Sequence, residues 1–245
     1  MNLPRSVCAV WSDETPGVEN ELNKTVFTDI GTRPTYWTGI CSAGVYSESP
    51  FSIVHAGRGP LIFGLAQPPT TTPLPSPAEN LMAAQLLDAD ILEANLVPPG
   101  KLMQARLKKL VVNSIINPLT ALYNCKNGEL LGGSVVGSDT IDRLVHEAGV
   151  IIRALPGLQM DESLRDIFSD ERLRGWVNEV ATATAENTSS MLQDVRAGRK
   201  TEIDYINGHL VQQALETGKP CELHNALIEE IKQLAHDGSA SPNEA

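Results

Sequence analysis

The chain has 245 residues, 42% of them hydrophobic and 20% charged: enough for one large domain or two small ones, and too apolar for wholesale disorder. Thirty acidic side chains against nineteen basic ones leave a formal charge of −11, which argues against nucleic acid or an anionic membrane as partner. No apolar run approaches the ~20 residues that cross a bilayer, and MNLPRSVCAVWSDETPG lacks the basic-then-apolar pattern of a secretory signal.

Cys8, Cys41, Cys125 and Cys221 lie far apart with no CxxC pair, and the five histidines form no HExxH. The expectation is a reduced, cytoplasmic protein with no metal site. In chain order, Thr35–Ser42, Phe51–Ala56 and Leu61–Leu65 read as short strands, with Gly57-Arg58-Gly59-Pro60 as a hairpin turn between the second and third. The Pro- and Thr-rich tract within 67–77 holds neither helix nor central strand and reads as an exposed loop. Ala78–Leu87 reads as a short helix and Ile91–Val97 as a strand, before Pro98-Pro99-Gly100 breaks the chain.

Beyond Gly100 apolar residues recur at spacings of three and four, which predicts helices over Leu102–Leu122, Ile141–Leu155, Leu164–Ser190, Glu202–Glu216 and Asn225–His236. The expected organisation is an α/β segment over 1–99, a helical domain over 100–238 and a flexible tail over 239–245.

Two segments draw attention. In KLVVNSIINPLTALYNCKNGEL, Lys109, Asn113 and Asn117 recur every four residues and drift only roughly 40° around a helix axis, so they form one polar stripe on an apolar helix. Either the stripe faces solvent, or it lines a cleft that receives a polar ligand. Asn is a poor helix former, which tips the balance towards a ligand. Pro118 is expected to disrupt the helix at Asn117, and Asn127-Gly128 is a turn signal. In NTSSMLQDVRAGRKTEIDYING, Asn187 and Ser190 share a helix face, and Asp194, Arg196, Arg199 and Asp204 suit a salt-bridged helix–turn–helix.

These two segments closely resemble the signature segments of the ketopantoate reductase (2-dehydropantoate 2-reductase) family, and TGICSAGVYSESPFSIVHAGRGPLIFGL is similar to the final strands of that family's nucleotide-binding domain. The resemblance implies a remnant of a Rossmann-type α/β nucleotide-binding domain followed by an all-α C-terminal domain like that of 6-phosphogluconate dehydrogenase. It implies reduction of 2-dehydropantoate to pantoate, a step towards pantothenate and coenzyme A, with NADPH as cofactor, a small 2-oxo acid as partner, and room for a homodimer. Lys109 matches the family's general acid; Asn113, Asn117, Asn127, Asn187 and Ser190 match its substrate-binding residues. Glu202 and Gly44 match positions on the cofactor side. The family's GxGxxG-bearing βαβ unit is not matched: the resemblance starts near Gly17–Leu22, Glu14-Thr15 stands where the family has Asn-Gly, and Ala43 stands where a histidine is expected. The expectation is therefore a family member truncated at its N-terminus; the alternatives are a non-catalytic helical binding protein and a reductase of another 2-oxo acid.

Overall fold

A computed structural model describes residues 7–11, 18–49, 51–66, 81–156, 158 and 162–239. The chain divides into two compact units, Met1–Arg106 and Leu107–Ala245.

In the first unit, β1 (Val7–Trp11), β2 (Thr35–Cys41), β5 (Leu61–Leu65) and β6 (Asn95–Leu96) form one sheet in the order β1-β2-β5-β6. β1 runs parallel to β2, β2 antiparallel to β5, and β5 parallel to β6. On one face Trp37, Leu61, Phe63 and Leu65 pack with Ala83 of α2 (Leu81–Leu87). On the other, Tyr36 lies edge-on to Phe27 and donates its hydroxyl to Asn23 Oδ1 at 2.9 Å, beside α1 (Val18–Thr25).

The hairpin expected between Phe51–Ala56 and Leu61–Leu65 is not formed. β4 (Ser52–Gly57) pairs instead with β3 (Gly44–Ser49), a strand the sequence reading passed over, and the two make a separate ribbon. The 58–60 connection returns the chain to the sheet. It lies so close to the ribbon's base that a Cβ on Gly59 would come within 2.4 Å of the Ser42 carbonyl. β5 thus docks against β2, where its alternate residues meet Trp37 in the core rather than solvent. The strand expected over Ile91–Val97 shrinks to Asn95–Leu96 after a 3-10 turn at Asp90–Leu92.

The second unit is helical. α3 (Pro99–Tyr123) begins in the first unit, and the division falls within it at Arg106, not at the Pro98–Gly100 break. Pro99 opens this helix, where its missing amide hydrogen is not needed. From Leu107 on, α3 is apolar nearly all round: Leu110, Val111, Val112, Ile115, Ile116 and Leu119 are buried, as suits a central helix. Around it pack α4 (Ser138–Arg153), α6 (Asp170–Ala183), α7 (Ser190–Arg196), α8 (Ile203–Thr217) and α9 (Glu222–Ser239). The single helix expected over Leu164–Ser190 is three: α5 (Glu162–Ile167), α6 and α7. Ser189 caps α7 through its side chain, so a new helix starts where an extended one was expected. α9 runs to Ser239, so the first residue of the expected tail is helical; the rest of that tail and the 67–77 loop lie outside the described residues.

Pro118 does not end α3, which continues to Tyr123. Proline removes the donor for the Ser114 carbonyl four residues back, and Asn207 Nδ2 on α8 supplies one at 3.0 Å. The next carbonyls are met by Thr120, whose hydroxyl lies 2.8 Å from Ile116 O and 3.0 Å from Asn117 O. With those acceptors satisfied, the helix crosses its proline. It closes at Asn124, whose φ of +48° is the left-handed turn that Asn tolerates after a helix.

Candidate functional site

The end of the first signature segment and the start of the second are stitched together residue by residue. Thr120 Oγ1 lies 2.7 Å from Ser189 Oγ. Because Thr120 donates its hydroxyl to a carbonyl of its own helix, Ser189 is the donor between the two. The Ser189 oxygen in turn accepts from the Leu192 amide at 3.1 Å and so caps α7. That cap sets the first turn of α7, and hence Ser190, against α3.

The following 3-10 turn, Asn127–Leu130, docks on the same loop. Asn127 N donates to Asn187 O and Gly128 N to Ala185 O, both at 3.1 Å. A Cβ on Gly128 would stand 2.6 Å from Ala185 Cβ, so this approach requires glycine. Asn127 Nδ2 donates to Thr184 Oγ1 at 2.9 Å, and Thr184 donates its own hydroxyl to Val180 O at 2.7 Å. This order fixes the amide: nitrogen towards Thr184, and Oδ1 buried with no partner among the described residues. At the rim, Arg196 Nε and Nη2 both reach Asn124 Oδ1, at 3.0 and 2.7 Å. Lys126 Nζ meets Glu186 Oε2 at 2.6 Å; the pair raises the lysine and lowers the carboxyl, but both are fully exposed, so it adds little to stability.

The stripe on α3 is not a solvated face. Lys109 and Asn113 are half-buried and Asn117 is 7% exposed. The Asn117 side chain makes no hydrogen bond among the described residues. Lys109 stands two turns before Asn117, about 12 Å along the axis. Asn187 and Ser190 are exposed.

Glu202 is the N-cap residue of α8, yet its exposed carboxylate makes no capping bond and is open to a hydroxyl-bearing ligand. Gly44 opens β3 in the other unit. Of the expected salt-bridged turn, Arg199 pairs with Asp194 at 2.8 Å, whereas Arg196 turns to Asn124 and Asp204 to Lys232. The sequence holds no GxGxxG turn of the kind that cradles a dinucleotide's phosphates.

Sequence reasoning missed the supporting polar residues: Thr120, Thr184, Ser189 and Asn207. Their only signal was being polar within or beside apolar helical stretches, and the periodicity that marks the core does not say which partner such a side chain meets.

Residues 101–235 match the model of the ketopantoate reductase PanE/ApbA C-terminal family. The chain is 31% identical to a ketoisovalerate reductase of Gibberella fujikuroi, over 90% of this chain and 55% of that one. It is 43% identical to the 2-dehydropantoate 2-reductase of Salmonella typhimurium, over 51% of this chain and 37% of that one. It thus spans about half the length of the curated relatives it matches, or less. In fold it resembles a PanE/ApbA family ketopantoate reductase from Ralstonia eutropha JMP134, with a TM-score of 0.70 at 20% identity, covering 97% of this chain and 70% of that one.

Proposed function

Since the chain belongs to the ketopantoate reductase family, we propose that it carries the keto-acid side of an NADPH-dependent reductase that converts 2-dehydropantoate to pantoate in the cytoplasm. On this reading Asn113 and Asn117 hold the keto acid along α3, with Asn127, Asn187 and Ser190 closing around it. Lys109, whose ammonium carries a transferable proton, donates it to the C2 oxygen as that oxygen gains charge. Glu202 and Gly44 are the residues assigned to the cofactor. NADPH, when bound, supplies the hydride that C2 accepts; the products are the 2-hydroxy acid and NADP⁺.

The observation that carries this reading is the stitching of two distant segments through Thr120–Ser189 and Asn127–Asn187. It gathers amides and hydroxyls at one end of a buried helix, where the Asn117 side chain makes no hydrogen bond among the described residues. A second reading, reduction of ketoisovalerate, is favoured by the likeness to the Gibberella enzyme across most of this chain. The two substrates differ by one hydroxymethyl group. The buried Asn127 Oδ1 is an acceptor without a donor, which suits the keto acid that brings a hydroxyl.

The test is NADPH oxidation by the full chain with each keto acid. Turnover that favours ketopantoate, lost about a hundredfold or more in Lys109→Ala, supports the proposal. Preference for ketoisovalerate moves it to the second reading. Failure to oxidise NADPH with either acid, by a chain that is folded and helical, overturns the enzyme reading in favour of a binding protein.

A further inference from the structure

Asn207 is fully buried on α8, five residues beyond Glu202. Its Nδ2 donates to the Ser114 carbonyl at 3.0 Å, the group that Pro118 deprives of its helical donor. The same nitrogen lies 3.0 Å from His224 Nδ1, and His224 Nε2 lies 3.1 Å from Leu144 O. Two hydrogens on one amide nitrogen meet two acceptors, so His224 is the neutral tautomer that carries its proton on Nε2 and gives it to Leu144.

Ser114 falls between Asn113 and Asn117, the two amides of the α3 stripe. A proline-crossed turn is looser at its open carbonyl, because the one helical bond that would close on that carbonyl is missing while its neighbours remain. Here that carbonyl is held from α8. We infer that Asn207 is a positioning residue: it fixes the turn of α3 bearing Asn113 and Asn117 in register with the start of α8, which bears Glu202. It touches no substrate and acts through the Ser114 carbonyl. The inference rests on the proposed keto-acid site for its functional consequence, and on the Pro118–Ser114–Asn207 geometry for its structural one.

Asn207→Ala is compared with Leu210→Ala, which removes an equally buried side chain from the same helix without touching the Ser114 carbonyl. With NADPH in excess, Asn207→Ala raises the KM for ketopantoate about tenfold, the size expected for losing one buried hydrogen-bonded contact, and changes kcat less. Leu210→Ala lowers the urea midpoint at least as far and leaves KM within about twofold. Amide exchange on the same chains gives a readout independent of turnover. In Asn207→Ala it quickens locally, over residues 113–119 and the first turn of α8; in Leu210→Ala it does not single out those amides. Equal KM shifts in an active pair, or exchange that quickens evenly in Asn207→Ala, overturn the inference and leave the functional reading standing. An unsubstituted chain that neither binds nor reduces ketopantoate overturns the functional reading, and the exchange pattern still decides whether Asn207 holds the turn.

Discussion

His224 is fully buried, and both of its ring nitrogens are met: Nδ1 by Asn207 and Nε2 by the Leu144 carbonyl. Its backbone amide and that of Leu223 donate to the two oxygens of Glu147, at 2.9 and 3.1 Å, so one carboxylate closes the start of α9. Burial pushes the imidazole below its ordinary value, with Glu147 and the Leu144 carbonyl pulling the other way. A ring that stays neutral in the folded chain but takes a proton in the unfolded one makes the unfolded state the better proton binder at low pH. Stability attributable to His224 is therefore fully present above about pH 6.5 and is lost as the pH falls from there towards the ring's lowered value in the fold. Urea midpoints measured from pH 8 to pH 5 should decline more steeply in the wild type than in His224→Gln. Parallel declines would mean that some other group sets the slope. Proton uptake would also turn Nδ1 from acceptor to donor facing Asn207 Nδ2, so the same titration strains the contact that holds the α3 turn.

At the level of elements, α3 owes its length to help from its neighbours. A proline costs a helix interior about 3 kcal/mol when nothing replaces the lost bond. Here Asn207 and Thr120 take up the carbonyls on either side of the gap. Pro118→Ala restores a helical donor to Ser114, so it should make Asn207 partly redundant. In a double-mutant cycle read by urea unfolding, Asn207→Ala is expected to cost less in the Pro118→Ala background, with a coupling of about 0.5–3 kcal/mol. An additive cycle would show that Asn207 serves α8 and His224 and not the proline gap. The same residues explain how far the site was legible. Lys109, Asn113 and Asn117 stood out because a four-residue spacing on a helix is a local property. That Asn117 is buried, and that the helix passes Pro118 intact, depends on residues about seventy and ninety positions away.

Across the whole molecule the two units differ in how much core they own. Among the described residues the sheet unit's cluster is five buried residues, Trp37 and Phe63 among them, and its sheet ends in the short strand β6. The helical unit gathers α3, α4, α6, α8 and α9 around one extensive apolar centre. Local opening becomes easier as buried apolar contacts thin out. Amides of β2 and β5 should therefore exchange faster than those of α3, α4 and α8 in the full chain. Sheet amides that match or outlast the helical ones would mean that the units open together.

Composition, periodicity and the two long segments determined the class of the protein, its helical second half and the presence of the stripe, because these are carried by residues adjacent in the chain. The strand pairing of the ribbon was beyond them, since alternation marks a strand without naming its partner and Gly59 reveals its close approach only against Ser42. The supporting network of Thr120, Thr184, Ser189 and Asn207 was likewise decided by the tertiary structure. A buried polar group declares its role through the partners that satisfy it, and here each of the four has one on another helix or loop.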